Sequence, residues 1–497
     1  MLLKSFPDKE RFKEIAKSSN VVPVCAEILA DAETPVSILG KFYADQSSFF
    51  LLESVEGGER WARYSFLGLS ARARVEVYRD NVEITENSLK RIIPHNGDPL
   101  GVLKNLMSKY RAPEIPELPR FWGGLVGYLT YEMVSFFERI PNRLPIDKPI
   151  ASFIIPDALM IFDNVKHTIT CVAIAFTEGE NDYEALYDRA SDRIAEIIKI
   201  IDTPRSIENI KNGAHGLTLS PVISEDEFRQ KVEKTKEYIR CGDIIQAVIS
   251  QKFTCDAPHD LTALYRAQRY INPSPYMYFM HLGETVLVGS SPETMVRLEN
   301  RTACLRPIAG TRPRGATEQD DRRHASNLLQ DEKEKAEHLM LVDLGRNDLG
   351  RVAKTGTVQV TDLMIVERYS HVMHLVSNIV CDLDDETDAF SLIKSTFPAG
   401  TLSGAPKVRA MEIIDEMEQD PRGPYGGCVG YVSFSGNMDF AITIRTACIE
   451  NGKLTVRAGA GIVADSVPET ERVETVNKAM SVQKALELVA KNVKKGN

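Results

Sequence analysis

No stretch of about 18 apolar residues, the length that crosses a bilayer as a helix, occurs in the 497 residues. Membrane spanning by helices is therefore not expected. The eight cysteines, at 25, 171, 241, 255, 304, 381, 428 and 448, form no C-x-x-C pair. That spacing excludes a zinc site built from cysteine pairs and reads as reduced, mostly buried thiols. The first residues, M-L-L-K-S-F-P-D-K-E-R-F, lack the uninterrupted apolar stretch of a secretory signal, so a cytoplasmic location is expected. There is no excess of basic charge either: 60 Lys and Arg face 70 Asp and Glu, a net charge of −10. Non-specific nucleic-acid binding is disfavoured by that balance. No internal repeat of fixed period and no low-complexity tail is visible.

What is present is a large soluble composition, 43% hydrophobic and 26% charged. The length exceeds the roughly 250–300 residues at which a single core stops growing, so two domains or one elaborated domain are expected. Residues 202–224 are rich in turn formers and lack periodicity, which marks a linker or crossing segment between an N-terminal unit, 1–201, and a C-terminal unit, 225–492. Ser224 and Glu227 read as a capping box that opens a helix ending near Cys241, with Gly242 as its C-terminal cap. Strand patterns fall at R-A-R-V-E-V-Y, F-W-G-G-L-V-G-Y-L-T-Y, H-T-I-T-C-V-A-I-A-F, D-I-I-Q-A-V-I-S-Q-K-F, T-V-L-V-G-S, V-G-Y-V-S-F and F-A-I-T-I-R-T-A-C-I. Helical patterns fall near 181–201, 225–241, 319–337, 388–395, 405–418 and 469–491. Strands grouped together rather than alternating with helices imply an α+β fold with large antiparallel sheets.

The densest chemistry lies between Phe397 and Lys478. Glycines at 400, 404, 423, 426, 427, 430, 459 and 461 would let backbone N–H groups approach a ligand, and Arg445 and Lys407 could pair with carboxylates. Two acidic pairs accompany them, Glu334 with Glu337 and Glu471 with Glu474, each at helical spacing, and Lys478 follows Glu474 by four. An isolated E-x-x-E is ordinarily a solvated helix face. Beside glycine-rich segments, two such pairs match the oxygen ligands that hold a hard Mg²⁺ together with substrate and water. The pattern implies a binding site for a small anionic metabolite.

The motifs F-P-A-G-T-L-S-G-A-P-K, R-G-P-Y-G-G-C-V-G-Y, I-T-I-R-T, A-G-A-G-I-V-A-D-S and E-R-V-E-T-V-N-K, in this order, closely resemble the chorismate-utilising enzymes. The resemblance extends back to about Leu51 and is strongest to the anthranilate-forming branch. It implies a β-sandwich core flanked by helices and a Mg²⁺-dependent lyase that turns chorismate and ammonia into anthranilate and pyruvate. By the resemblance Glu337 and Glu474 hold the metal, with Glu471 near it. Glu334 is the general acid for loss of the C4 hydroxyl, and His374, in V-M-H-L, serves the later elimination of pyruvate. The neighbouring His371 reads as structural. Substrate contacts carry over to Gly310, Thr311, Tyr425, Arg445, Gly459, Ala460 and Gly461.

Two positions discriminate among relatives. Ala309 stands where aminodeoxychorismate synthases of similar pattern carry a lysine nucleophile, and alanine cannot attack the ring. Gln246 stands where isochorismate and salicylate synthases place a lysine base; an amide cannot deprotonate water, whereas ammonia needs no deprotonation to attack. Both favour ammonia as the nucleophile, with those relatives as rival readings. G-A-G-I-V-A at 459–464 matches a dinucleotide fingerprint, but Asp465, Ser466 and Pro468 follow where its helix should run. Cys428, in G-G-C-V-G-Y, precedes strand residues and reads as a small buried residue rather than a glutaminase nucleophile. The implied ammonia source is then a separate glutamine amidotransferase subunit, in an expected heterotetramer of two large and two small subunits.

Finally, L-L-E-S-V-E-G-G at 51–58 and N-P-S-P-Y-M at 272–277 resemble the family's paired L-tryptophan-binding segments. Ser54 would contact the amino-acid head, and Pro275, Tyr276 and Met277 would supply backbone and apolar surface. Feedback inhibition by L-tryptophan is the corresponding expectation.

Overall fold

The structure, a computed structural model, describes residues 1–43, 48–55, 63–203, 217–369 and 372–494. The expected α+β architecture is observed, and every ladder between named strands is antiparallel. Two ladders build the site. Gln246–Asp256 pairs with Lys453–Ile462 from Ala247↔Ile462 to Asp256↔Lys453. Tyr276–Leu282 pairs with Thr285–Ser291 on one edge and with Ser48–Glu53 on the other, where Met277 meets Glu53. That second ladder, and the pairing of Gly124–Leu129 with Cys428–Ser433, join chain on both sides of 202–224. The 202–224 segment itself begins at the last residue of the helix Tyr183–Asp202 and includes the two-residue strand Ser220–Pro221 on the edge of Gln246–Asp256; residues 204–216 lie outside the described set.

Apolar side chains from both sides of that segment share the same cores. Phe12, Ile38, Leu51 and Leu67 pack with Val288, Leu454 and Leu486. Close strand contacts explain several glycines better than ligand approach does. A Cβ on Gly430 would lie 2.0 Å from the Asp439 carbonyl oxygen, and one on Gly427 2.0 Å from that of Leu129.

The helix from Glu225 to Arg240 lies where expected, with the Ser224 hydroxyl accepting from the Glu227 N–H at 3.1 Å and Gly242 at φ +83°, but the Glu227 side chain does not return the bond to the Ser224 N–H that a full capping box requires. The expected single helix over 319–337 is instead two, Glu318–Gln330 and Glu332–Gly350. Asp331 makes the break: its backbone is extended, and its carboxylate accepts from the N–H groups of Lys333 and Glu334 at 3.1 and 3.2 Å. An aspartate that caps a new helix outcompetes continuation of the old one. The expected strand F-A-I-T-I-R-T-A-C-I is also divided, into Met438–Ile442 and Thr446–Glu450. Arg445 lies between them at φ +50°, a left-handed conformation unusual for arginine.

Candidate active site

A cavity of about 230 Å³ opens where the start of Gln246–Asp256 and the end of Lys453–Ile462 meet the helices Glu332–Gly350 and Pro468–Lys494. Its lining gathers Gln246, Ala309, Thr311, Glu337, His374, Tyr425, Arg445, Gly459, Gly461 and Glu474, all named from the sequence. Gly459 and Gly461 point one strand face at it. A Cβ there would lie 2.6 Å from the Tyr425 hydroxyl and 2.3 Å from the Gln246 amide nitrogen respectively. Ala460, between them, faces the opposite way into an apolar cluster with Ile249 and Ile462, so it can offer a ligand only backbone. Both glycines sit inside a strand, which agrees with rejecting a dinucleotide loop.

The carboxylates crowd one end. Gln246 donates to Glu337 at 3.3 Å, and Lys478 bridges Glu474 at 2.7 Å and the Gly459 carbonyl at 2.8 Å. Burial raises the pKa of Glu337, and the negative charges of Glu334 and Glu474 raise it further. Glu471 is raised by burial too, with Glu474 adding to it. Such mutual repulsion is relieved by a cation. Among the described residues no three His, Cys, Asp or Glu side chains form a ready-made metal shell. Two hard carboxylates, Glu337 and Glu474, at the edge of an anion cavity are the donor set by which Mg²⁺ is held jointly with substrate and water.

His374 lies on Val372–Asp382, and its Nδ1 stands 3.0 Å from the Gly310 carbonyl and 3.1 Å from the Thr311 hydroxyl. Donation to the carbonyl assigns the proton to Nδ1, leaving Nε2 as a lone-pair base. Burial lowers its pKa, so the neutral form prevails near neutrality. Gly310 adopts φ +64° and reaches the site through that carbonyl rather than as lining. His371 lies outside the described residues. Lys407 is not a ligand contact: it pairs with Asp348 at 2.6 Å, away from the lining. Cys428 is fully buried, and burial drives its thiol pKa well above the ordinary value, as a structural cysteine requires.

Glu334, expected as the general acid, stands outside the lining of this cavity, tied to Arg312 at 3.0 Å, because Asp331 places it in the first turn of its helix. The carboxyl better placed for acid work is Glu293, which sequence reasoning missed. Glu293 lines the cavity, and burial raises its pKa to about 7, against the opposing influence of Thr401, Arg445 and Lys478. The available signal was S-S-P-E-T, a lone carboxylate directly after the wholly buried strand Thr285–Ser291. Arg445, beside it, makes no hydrogen bond or ion pair through its guanidinium to any described residue. Burial lowers its pKa, with the nearby Glu293 carboxyl acting in the opposite direction.

Behind the wall, Arg422, 2% exposed at its side chain, binds Glu418 at 2.7 Å and the carbonyls of Leu402 and Val248 at 2.7 and 2.8 Å. It stacks beneath Tyr425 and Tyr131. Arg457 joins the same Glu418 at 2.9 Å. This ion cluster fixes the lining residues Val248, Leu402, Tyr425 and Arg457 against one another.

A second cavity, of about 70 Å³, brings together Ser54, Pro275, Tyr276 and Met277, as the paired segments implied. Tyr276 donates to Asp439 at 2.9 Å, and Asp439 pairs with Arg120 at 3.0 Å. Residues 56–58 of the first segment lie outside the described set.

The chain belongs to the chorismate binding enzyme family, whose model matches residues 49–484. It is 46% identical to anthranilate synthase component 1 of Acetivibrio thermocellus, over 97% of this chain and 98% of that protein. It is 45% identical to the Aquifex aeolicus protein of the same name, over 96% and 97%. The solved anthranilate synthase component I of Streptococcus pneumoniae superposes with a TM-score of 0.76 at 34% identity, covering 92% of this chain and 98% of that one.

Proposed function

We propose that this chain is the large component of an anthranilate synthase, which converts chorismate and ammonia to anthranilate, pyruvate and water. The observation that carries the reading is that the buried Arg445 guanidinium, without a hydrogen-bond or ion-pair partner among the described residues, lines one cavity with Glu337 and Glu474. A substrate carboxylate would pair with Arg445, whose planar fork suits it. Glu337 and Glu474 would hold Mg²⁺, which supplies Lewis-acid neutralisation of a second carboxylate. Glu293 fits the proton donor to the departing C4 hydroxyl better than Glu334 does, since burial keeps it protonated up to about pH 7 within the cavity. His374, neutral and oriented by Gly310, is suited to take the ring proton as the enolpyruvyl group leaves. Ala309 and Gln246 offer no nucleophilic or basic nitrogen, which favours ammonia over a lysine adduct or activated water.

The ammonia would come from a separate glutamine amidotransferase subunit in a heterotetramer of two large and two small subunits, in the cytoplasm. The cavity at Ser54 and Tyr276 would bind L-tryptophan and favour a state with low chorismate affinity. Incubating the chain with chorismate, Mg²⁺ and concentrated ammonium salt at alkaline pH tests the reading. Stoichiometric anthranilate and pyruvate, suppressed by tryptophan, are expected; chorismate consumed into another product would refute it.

A further inference from the structure

Arg445 holds an unusual backbone conformation, and a group outside the cavity holds it there. Its φ of +50° falls between the strands Met438–Ile442 and Thr446–Glu450. An arginine in the left-handed region is strained and persists only where its surroundings fix it. The ladder between Thr446–Glu450 and Thr285–Ser291 ends at the pair Gly289↔Thr446, one residue short of Arg445. Beyond it, the Arg445 carbonyl accepts a long bond from the Ser290 N–H, at 3.3 Å, and a short one from the side-chain amide of Gln268, at 2.7 Å.

Gln268 lies on the helix Leu261–Ile271 and is wholly buried. A carbonyl can only accept, so the amide nitrogen must be the atom that faces Arg445. The same nitrogen stands 3.3 Å from the Ser290 hydroxyl, to which Asn272 also donates at 3.0 Å. The amide oxygen is buried without a hydrogen-bond partner among the described residues. A buried orphan acceptor costs stability, and an apolar side chain of the same length would avoid that cost. What the nitrogen holds therefore explains an amide here, whereas packing does not.

We propose that Gln268 is a positioning residue for the substrate: by gripping the Arg445 carbonyl it keeps that backbone left-handed and so aims the guanidinium into the cavity. The inference rests on the reading that Arg445 receives a carboxylate of chorismate. Gln268 does not itself line the cavity. Without its amide the carbonyl keeps only the longer Ser290 bond, and the backbone at Arg445 relaxes toward the extended form. The guanidinium then turns away from its present direction, and a displaced fork pairs poorly with a carboxylate.

The KM for chorismate and the KM for ammonium are measured for the parent, Gln268→Met, Gln268→Leu, Tyr265→Phe and Arg445→Met. Tyr265 is the control, since it is buried on the same helix but donates its hydroxyl to Glu53 rather than to Arg445. Both Gln268 variants are expected to raise the chorismate KM at least about tenfold while the ammonium KM stays within about twofold. Tyr265→Phe is expected to keep the chorismate KM within about twofold of the parent. Thermal unfolding identifies a Gln268 variant that misfolds, in which case the other carries the test. Parental chorismate KM in a folded Gln268 variant overturns the assignment, as does a fall confined to kcat. An equal rise in Tyr265→Phe also overturns it, because a loosened helix is then the cause. Parental chorismate KM in Arg445→Met refutes instead the underlying reading of Arg445, which the Gln268 variants leave in place.

Discussion

The substrate cavity and the cavity at Ser54 are built on one wall, yet they treat charge in opposite ways. Pro292 and Ile308 line both. The neighbours divide: Glu293 and Ala309 face the substrate cavity, Thr294 and Arg306 the other. In the second cavity Tyr276, Asp439 and Arg120 satisfy one another. The substrate cavity instead keeps a guanidinium with no hydrogen-bond or ion-pair partner among the described residues, a carboxyl raised to about 7 and carboxylates that repel one another. Groups left unpaired and partly desolvated cost stability, and they persist where a ligand completes them. The contrast separates a cavity shaped for a charged substrate from one whose polar groups are already at rest.

The largest expected break in this contrast is Glu293→Gln. Loss of a positioned acid should lower turnover by about 10²–10⁴-fold, while tryptophan affinity at the second cavity is unchanged. Glu334→Gln, outside the lining, is expected to cost less than about tenfold; a larger loss would return the acid role to Glu334. Glu337→Gln should weaken activation by Mg²⁺ by at least about tenfold, read as a shift of the metal titration midpoint. The pH dependence sharpens the same point. Glu293 is raised, so its acid form is present below about 7 and is lost as pH rises through that value. With free ammonia held constant, kcat/KM for chorismate should bend downward there, and a flat profile would remove Glu293 from the acid role. On the wall, Arg422→Met leaves Glu418 buried beside one fewer cation and should destabilise the fold by about 3–5 kcal/mol, measured by denaturant unfolding. The smallest effect falls on the shared residue: Ile308→Val should change tryptophan inhibition by only about 0.5–2 kcal/mol of coupling, seen as a shifted inhibition midpoint.

Much of this was legible in the sequence because the cavity draws on consecutive motifs. Strand alternation turns Gly459 and Gly461 to one side and Ala460 to the other, which a list of motif residues does not separate. Glu293 was hidden because it follows a buried strand and the groups that tune it, Thr401, Arg445 and Lys478, lie more than a hundred positions away. The division at Asp331 could have been read from its capping chemistry, but helix periodicity continues through it. The short helices Pro35–Phe42 and Pro99–Met107 were missed although each begins with a capping residue and proline, Thr34-Pro35 and Asp98-Pro99. Their few turns carry too little periodicity to stand out. Glycines expected to approach a ligand, such as Gly427 and Gly430, serve close strand contacts, and only the partner strand reveals that.

The division of labour between the two cavities is tested most directly by titrating L-tryptophan calorimetrically into the parent, Glu293→Gln and Ser54→Arg. The account predicts equal affinity for the parent and Glu293→Gln, and no binding to Ser54→Arg, which nevertheless makes anthranilate at close to the parental rate. Binding retained by Ser54→Arg and lost from Glu293→Gln would place tryptophan in the substrate cavity and contradict it.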